Sequence, residues 1–280
     1  MTTHTTRTAV GALLASTHPV PSVVVATLTT SFAWAVGLAW WQVAVVFLAM
    51  ISNQFSIGLG NDWLDQETDI RAQRTDKPLA TGQLSAPVAR NVAVALGFTA
   101  IGFSAFLSWW AVLCQAGILF AGWWYNTHAK SHWSSPFSYL LGFGLMPVFP
   151  ALALSPPQIP VWWVVAVAGL LGVGAHFANA LPDLVDDTKD DVRGLPQILG
   201  AKASGLAIVL TVSTATATIS GAGAGLPVWL RVVTAVTAVG AALIAAALAF
   251  RPTPPRIIFP LVMASAAICT VAIVWWFVGV

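Results

Sequence analysis

Nine long apolar stretches, divided by short polar loops, fix the environment of this chain before any other feature is read. A spanning helix needs roughly 20 mostly apolar residues. Stretches near 20–40, 42–62, 87–107, 109–127, 136–154, 161–181, 203–222, 228–249 and 257–278 meet that length. Only 8% of the residues are charged, against about 25% in a soluble domain. Inside lipid every backbone polar group must find a partner within the protein, which leaves helices or closed barrels. Apolar runs of this length suit helices. The expectation is an all-α membrane protein of nine transmembrane helices.

Orientation follows from the cations. With nine spans and an inside N-terminus, every Lys and Arg except Arg231 falls on the inside, as the positive-inside rule requires. Trp40–Trp41, Trp109–Trp110, Trp162–Trp163 and Trp275–Trp276 then mark outside edges, where indoles favour the interface. The C-terminus is expected outside, in a multi-pass cell-membrane protein. The first twenty residues lack the pattern of a signal peptide; His18-Pro19-Val20-Pro21 marks entry to the first span. Cys114 and Cys269 lie in separate spans, suggesting neither a disulfide framework nor a thiolate metal site.

All ten carboxylates sit in two windows, Asp62 to Asp76 and Asp183 to Asp191. At one constant offset Asn61 aligns with Asn179, Asp65 with Asp183, Asp69 with Asp187, Pro78 with Pro196 and Gly82 with Gly200. Each window follows an even-numbered span, so both face the inside. This predicts two parallel repeat halves, about 20–127 and 136–249, with a last helix at 257–278 and a binding site where the halves meet.

Asn61, Asp65 and Asp69 are spaced i, i+4, i+8 and share one helix face. Asn179, Asp183 and Asp187 repeat the spacing, and Asp62 and Asp186 add an acid to each cluster. Carboxylates about 6 Å apart repel by roughly 3 kcal/mol at an effective dielectric near 20, so such a cluster calls for bound cations. Hard oxygen donors in this pattern suit Mg²⁺, which takes one or two carboxylates and completes its shell with water and phosphate. Glu67, Asp76, Asp190 and Asp191 read as solvated.

Arg71 and Arg74 lie in the first window and Lys77 just beyond it, and Lys189 and Arg193 lie in or just beyond the second. Lys130 closes Tyr125-Asn126-Thr127-His128-Ala129-Lys130 at the inner end of the fourth span. Arg231, Arg251 and Arg256 read as topology anchors. His176, one turn before Asn179, reads as a packed, hydrogen-bonded histidine more readily than a substrate contact. Asn53 and Gln54 are even candidates for a cavity wall. His18, His128 and His132 lack metal-ligand spacing.

These motifs resemble the UbiA superfamily of intramembrane prenyltransferases. The residues that carry the resemblance are Asn61-Asp62-x-x-Asp65-x-x-x-Asp69 with Arg74-Thr-Asp-Lys77-Pro78-Leu-Ala-Thr-Gly82, Asp183-x-x-x-Asp187 running to Pro196 and Gly200, and Tyr125-Asn126 with Lys130. They stand in family order, and the nine-helix count covers nearly the whole chain. The resemblance implies a UbiA-like bundle in which Asn61, Asp65, Asp69, Asp183 and Asp187 hold Mg²⁺ and diphosphate, supported by Asp62. It implies that Lys130, Lys77 and Lys189 contact the diphosphate and that Tyr125 and Asn126 line the chamber. Arg74 and Asn179 join the substrate-binding set. Lys77 stands where many members carry Arg, Gly194 replaces a common Thr, and an Arg frequent at the first span is absent, with Ser16-Thr17 before His18.

The implied reaction is Mg²⁺-dependent transfer of a prenyl group from an isoprenyl diphosphate to an acceptor, aromatic in many members. Cyclisation of the isoprenoid and transfer of a sugar phosphate to a lipid carrier stay open on the same fold. A cation or solute transporter is the rival from another class, disfavoured because transport sites usually lie near the midplane and these acids gather at one face. A CDP-alcohol phosphotransferase would show an Asp-Gly-rich motif that the chain lacks. The net charge of +2 gives no argument for nucleic acid.

Overall fold

The structure, a computed structural model, describes residues 8–184 and 193–279. Every regular element among the described residues is helical. A short helix α1 (Ala9–Ser16) precedes α2 (Pro19–Ala35), and α3 (Trp40–Leu64) runs almost directly into α4 (Gln66–Arg71). The chain continues through α5 (Ala86–Ala105), α6 (Trp109–Thr127), α7 (Ser135–Ala151) and α8 (Trp162–Ala180). It ends with α9 (Leu195–Ala222), α10 (Val228–Ala249) and α11 (Ile258–Gly279).

Six of these helices, α3, α5, α8, α9, α10 and α11, are long and apolar enough to cross a membrane, and α1 with α2 adds a seventh as a pair bent by 57°. The chain is a multi-pass membrane protein. Helices α6 and α7 also match expected spans but are less clear-cut. Helix α7 has 17 residues and encloses Pro147 and Pro150, while α6 carries Gln115, Tyr125, Asn126 and several tryptophans.

Consecutive long helices pack side by side: α2 on α3, α3 on α5, α5 on α6, and so on to α10 on α11. Helix α11 then returns to α2, where Phe277 meets Phe32 edge to face at 5.0 Å. The helices therefore form a closed ring. One large apolar core fills the C-terminal part, with Phe177, Ile208, Ile219 and Ile258 buried. A second lies around Met50, Ile118 and Phe149.

The α1–α2 elbow is built by sequence. His18 takes the left-handed conformation (φ 50°), and Pro19 opens α2, a position where its missing N–H is harmless. The elbow presses onto α3 at Gly58, where a Cβ would lie 2.7 Å from the Thr17 carbonyl oxygen.

The two glycines aligned by the repeat share a positive φ. Gly82 has φ 73° and Gly200 φ 78°. A Cβ at either would meet nothing within 4 Å, so backbone angle rather than space demands glycine there. At Gly200 the angles (φ 78°, ψ 174°) break α9. That explains why the apolar pattern begins near 203, whereas the helix begins at Leu195.

Candidate functional site

Helix α3 carries the first window out of the apolar bundle. The Asp65 amide donates to the Asn61 carbonyl at 2.9 Å and the Asp69 amide to that of Asp65 at 2.9 Å, so helical spacing continues across the α3–α4 joint. The expected i, i+4, i+8 face is present. Asn61, Asp65 and Asp69 all line one cavity of about 310 Å³. Asn179, at the end of α8, and Asp183, in a 3₁₀ turn (Leu181–Asp183), line the same cavity. The two aligned windows thus open on one space. Asp187 and Lys189, together with Asp186, Asp190 and Asp191, lie outside the described residues.

Each described acid has its own electrostatic setting. Asp62 does not line the cavity. It is 2% exposed, its Oδ1 receives a bond from Lys77, and it lies 2.8 Å from His18 Nε2. Asp65 is paired with the Lys130 ammonium. Asp69 is buried and receives no hydrogen bond from a described side chain. Its pKa is raised, first by burial and further by Asp65, with Lys77 opposing.

Asp76, read as solvated from sequence, is in fact paired. Arg74 Nε donates to its Oδ1 at 3.0 Å and Arg256 Nη1 to its Oδ2 at 3.3 Å. The Arg74 hydrogen bonds hold this carboxyl well below the usual carboxylate range, and the same pair raises the guanidinium. Arg74 Nη1 also lies 3.5 Å from Asp183 Oδ1, and Arg256 Nη2 lies 3.9 Å from it. Arg256 is therefore more than a topology anchor: it reaches from the α10–α11 loop to both acidic windows.

The fourth-span motif supplies the facing wall. Tyr125, Asn126 and Lys130 line the cavity with Arg74 and Lys77. Asn126 donates through Nδ2 to the Ile57 carbonyl at 2.9 Å and accepts from Asn61 Nδ2 at 3.4 Å. Tyr139, which sequence reasoning passed over, also lines the cavity. It meets Tyr125 edge to face at 5.0 Å and is hydrogen-bonded to Tyr125 and Asn179. These are the chain's two tyrosines, and a lone phenol in an apolar span was the signal that marked Tyr139.

Several further residues take definite places. His18, which shows no metal-ligand spacing, lines the cavity. Gln54 lines it too, while Asn53 is wholly buried. His176 is packed, 1% exposed, with Nε2 2.9 Å from Ser135 Oγ. Deeper down the walls become apolar. Val25, Phe143 and Met146 also border a smaller cavity of about 80 Å³ beside Phe32, Leu171 and Ile273.

The donor set suits a hard divalent cation. The cavity offers amide and carboxylate oxygens with a buried acid, Asp69, that no described side chain neutralises. Among the described residues no three His, Cys, Asp or Glu side chains form a ready-made cage. A hard divalent cation is commonly bound by one or two carboxylates plus substrate phosphate.

Comparison with known proteins agrees with this architecture. A bacteriochlorophyll synthase 33 kDa chain of Cereibacter sphaeroides is 25% identical over 185 residues, 63% of this chain and 61% of its own. A digeranylgeranylglyceryl phosphate synthase of Archaeoglobus fulgidus is 28% identical over 183 residues, 60% of this chain and 58% of its own. The alignments thus span about three fifths of each curated relative. Among solved structures, an apo UbiA homologue of Aeropyrum pernix superposes with a TM-score of 0.74 at 20% identity, covering 89% of this chain and 96% of that one. An Archaeoglobus fulgidus UbiA homologue bound to GPP and Mg²⁺ gives 0.72 at 14% identity, covering 96% and 100%. Residues 8–264 match the UbiA prenyltransferase family, and the chain belongs to it.

Proposed function

We propose that this protein transfers a prenyl group from an isoprenyl diphosphate to an acceptor within the membrane, with Mg²⁺ as cofactor. The observation that carries the reading is the convergence of Asn61, Asp65 and Asp69 with Asn179 and Asp183 on one cavity that turns apolar with depth. The names of the two curated relatives, and the GPP and Mg²⁺ in a solved homologue, support an isoprenyl diphosphate donor. The reading includes nine spans in a single domain with parallel halves, an inside N-terminus and a cytoplasmic cavity mouth.

In this scheme Asn61, Asp65, Asp69 and Asp183, with Asp187 from outside the described residues, hold the metal–diphosphate group. Bound Mg²⁺ supplies Lewis-acid neutralisation of the leaving diphosphate. Lys130, Arg74 and Lys77, with Lys189, add fixed positive charge in a water-poor site, where preorganised charge acts most strongly. The allylic C–O bond breaks and its electron pair leaves with the diphosphate. The rings of Tyr125 and Tyr139 then offer π density to the electron-poor carbon. A nucleophilic acceptor atom, aromatic carbon in the favoured case, bonds that carbon and releases a proton to an acid of the second window. The tail occupies the apolar depth past Phe143 and Met146.

The test is incubation of reconstituted protein with geranylgeranyl diphosphate and candidate acceptors, followed by mass spectrometry. Asp65→Ala and Asp183→Ala are expected to abolish product, and so is EDTA. Full activity in either variant, or with EDTA, overturns the scheme, while a cyclised product without acceptor replaces transfer by cyclisation.

A further inference from the structure

Four segments meet at one buried joint below the cavity mouth. Ser135, the first residue of α7, is completely buried. Its Oγ accepts from the Leu195 amide at the start of α9 at 3.1 Å and lies 2.9 Å from His176 Nε2 on α8. The Leu195 N–H is one of the donors a helix start leaves open, and Ser135 satisfies it. His176 is 1% exposed and sits against Tyr139 and Tyr125, with ring centroids 4.8 and 5.6 Å apart. Its Nδ1 has no hydrogen-bond partner among the described residues.

The fourth segment is the Lys130 turn. A Cβ on Gly194 would lie 2.5 Å from the Lys130 carbonyl oxygen. Gly194 has an ordinary extended conformation (φ −64°, ψ 164°), so it is close approach that requires glycine there. The exit of the second acidic window is thereby pressed onto the backbone of the residue whose ammonium holds Asp65 in the first.

Burying a histidine nitrogen without a partner is unfavourable, and α8 is apolar from its start up to His176. Packing alone gives no reason for a serine–histidine pair where apolar side chains would fill the space. We propose that Ser135 and His176 are positioning residues. Their bond, with the Gly194 contact, latches the start of α9 to the Lys130 turn and keeps Lys130 in register with both acidic windows. The role rests on the prenyl-transfer reading for its effect on turnover, but the latch itself does not.

The experiment perturbs the joint in three unrelated ways: Ser135→Ala removes the shared oxygen, His176→Phe keeps the ring but removes the nitrogens, and Gly194→Ala wedges the contact. Each is expected to lower kcat/KM for geranylgeranyl diphosphate about tenfold, leaving KM for the acceptor within about twofold. In a Lys130→Ala background each is expected to add less than about a twofold further loss, because residues acting through one group are not additive. Losses that multiply in that background, or acceptor KM rising in parallel, overturn the proposal.

Hydrogen exchange at residues 129–135 is read on the same proteins without substrate. Faster exchange there, with residues 162–180 unchanged, is expected in Ser135→Ala and Gly194→Ala. Unchanged exchange at 129–135 overturns the latch. Faster exchange in the variants, with no prenyl transfer by the wild type, leaves the latch standing and sinks the functional reading instead. If Ser135→Ala does not fold, Gly194→Ala carries both measurements and His176→Phe the kinetic one.

Discussion

His18 Nε2 lies 2.8 Å from Asp62 Oδ1, joining the elbow before the first long helix to the end of the second. Lys77 approaches the same carboxylate oxygen from the far side of the acidic window. Asp62 therefore acts as a buried anchor for two cavity-lining side chains, Lys77 and His18, a different task from that of its neighbours Asn61 and Asp65.

Removing that anchor leaves Lys77 without its counter-charge and His18 without its hydrogen-bond partner. Asp62→Ala is expected to destabilise the protein by about 3 kcal/mol, in the range for breaking a buried ion pair. His18→Ala is expected to cost about 1 kcal/mol, since the imidazole is partly exposed. Thermal unfolding in detergent, compared across both variants, checks the order; equal losses would refute the anchor.

Asp69 presents the opposite case, an acid that burial disfavours and no described side chain bonds. Asp69→Asn is expected to raise metal-free thermal stability by about 1 kcal/mol while abolishing Mg²⁺-dependent stabilisation. Melting curves with EDTA and with Mg²⁺ measure both, and a variant that still gains from Mg²⁺ would remove Asp69 from the metal site.

The Asp76 pair gives a pH dependence of definite sign. Its folded pKa lies below the ordinary carboxylate value, so the stabilisation it brings is fully present above that value and lost as pH falls through the folded pKa. The difference in melting temperature between wild type and Asp76→Asn is expected to stay constant down to about pH 4. A difference that already fades near neutrality would contradict the Arg74 and Arg256 pairing.

At Gly82 and Gly200 a side chain is opposed by backbone angle alone. Gly200 lies in a region that is essentially glycine-only, so Gly200→Ala is expected to cost about 1–3 kcal/mol. Gly82→Ala is expected to cost about 1–2 kcal/mol. Denaturant titration of each variant measures the loss, and a neutral Gly200→Ala would mean that the break in α9 is absent.

Much of the site was legible because its signals are local and duplicated. The Asn61, Asp65, Asp69 face follows from helical spacing, and the Asn179–Asp183 copy follows from the repeat. Lys130 and Tyr125 stand in one short motif. His18 and Arg256 were not legible: each reaches the site from a different loop, and no periodic pattern links them to the acids they meet. Asn53 and Gln54 show the limit of periodicity: neighbours on a helix are turned about 100° apart, enough to put Gln54 on the cavity and Asn53 in the packing, and sequence alone left them equal. His176 was readable as a packed residue, because a polar ring in an apolar stretch needs a partner, but not as a bridge to Ser135. The long helices were placed to within a few residues, except α9, whose start was hidden by the Gly200 break.

The ring of helices closes where Phe277 on α11 meets Phe32 on α2, so the lateral wall of the chamber is completed by a contact between helices far apart along the chain. Without α11, which also lends Ile273 to the smaller apolar cavity, that wall has a missing stave and opens sideways between α2 and α8. Loss of α11 would therefore spare the helices that carry Asn61, Asp65 and Lys130 while removing the closure of the apolar depth beside them.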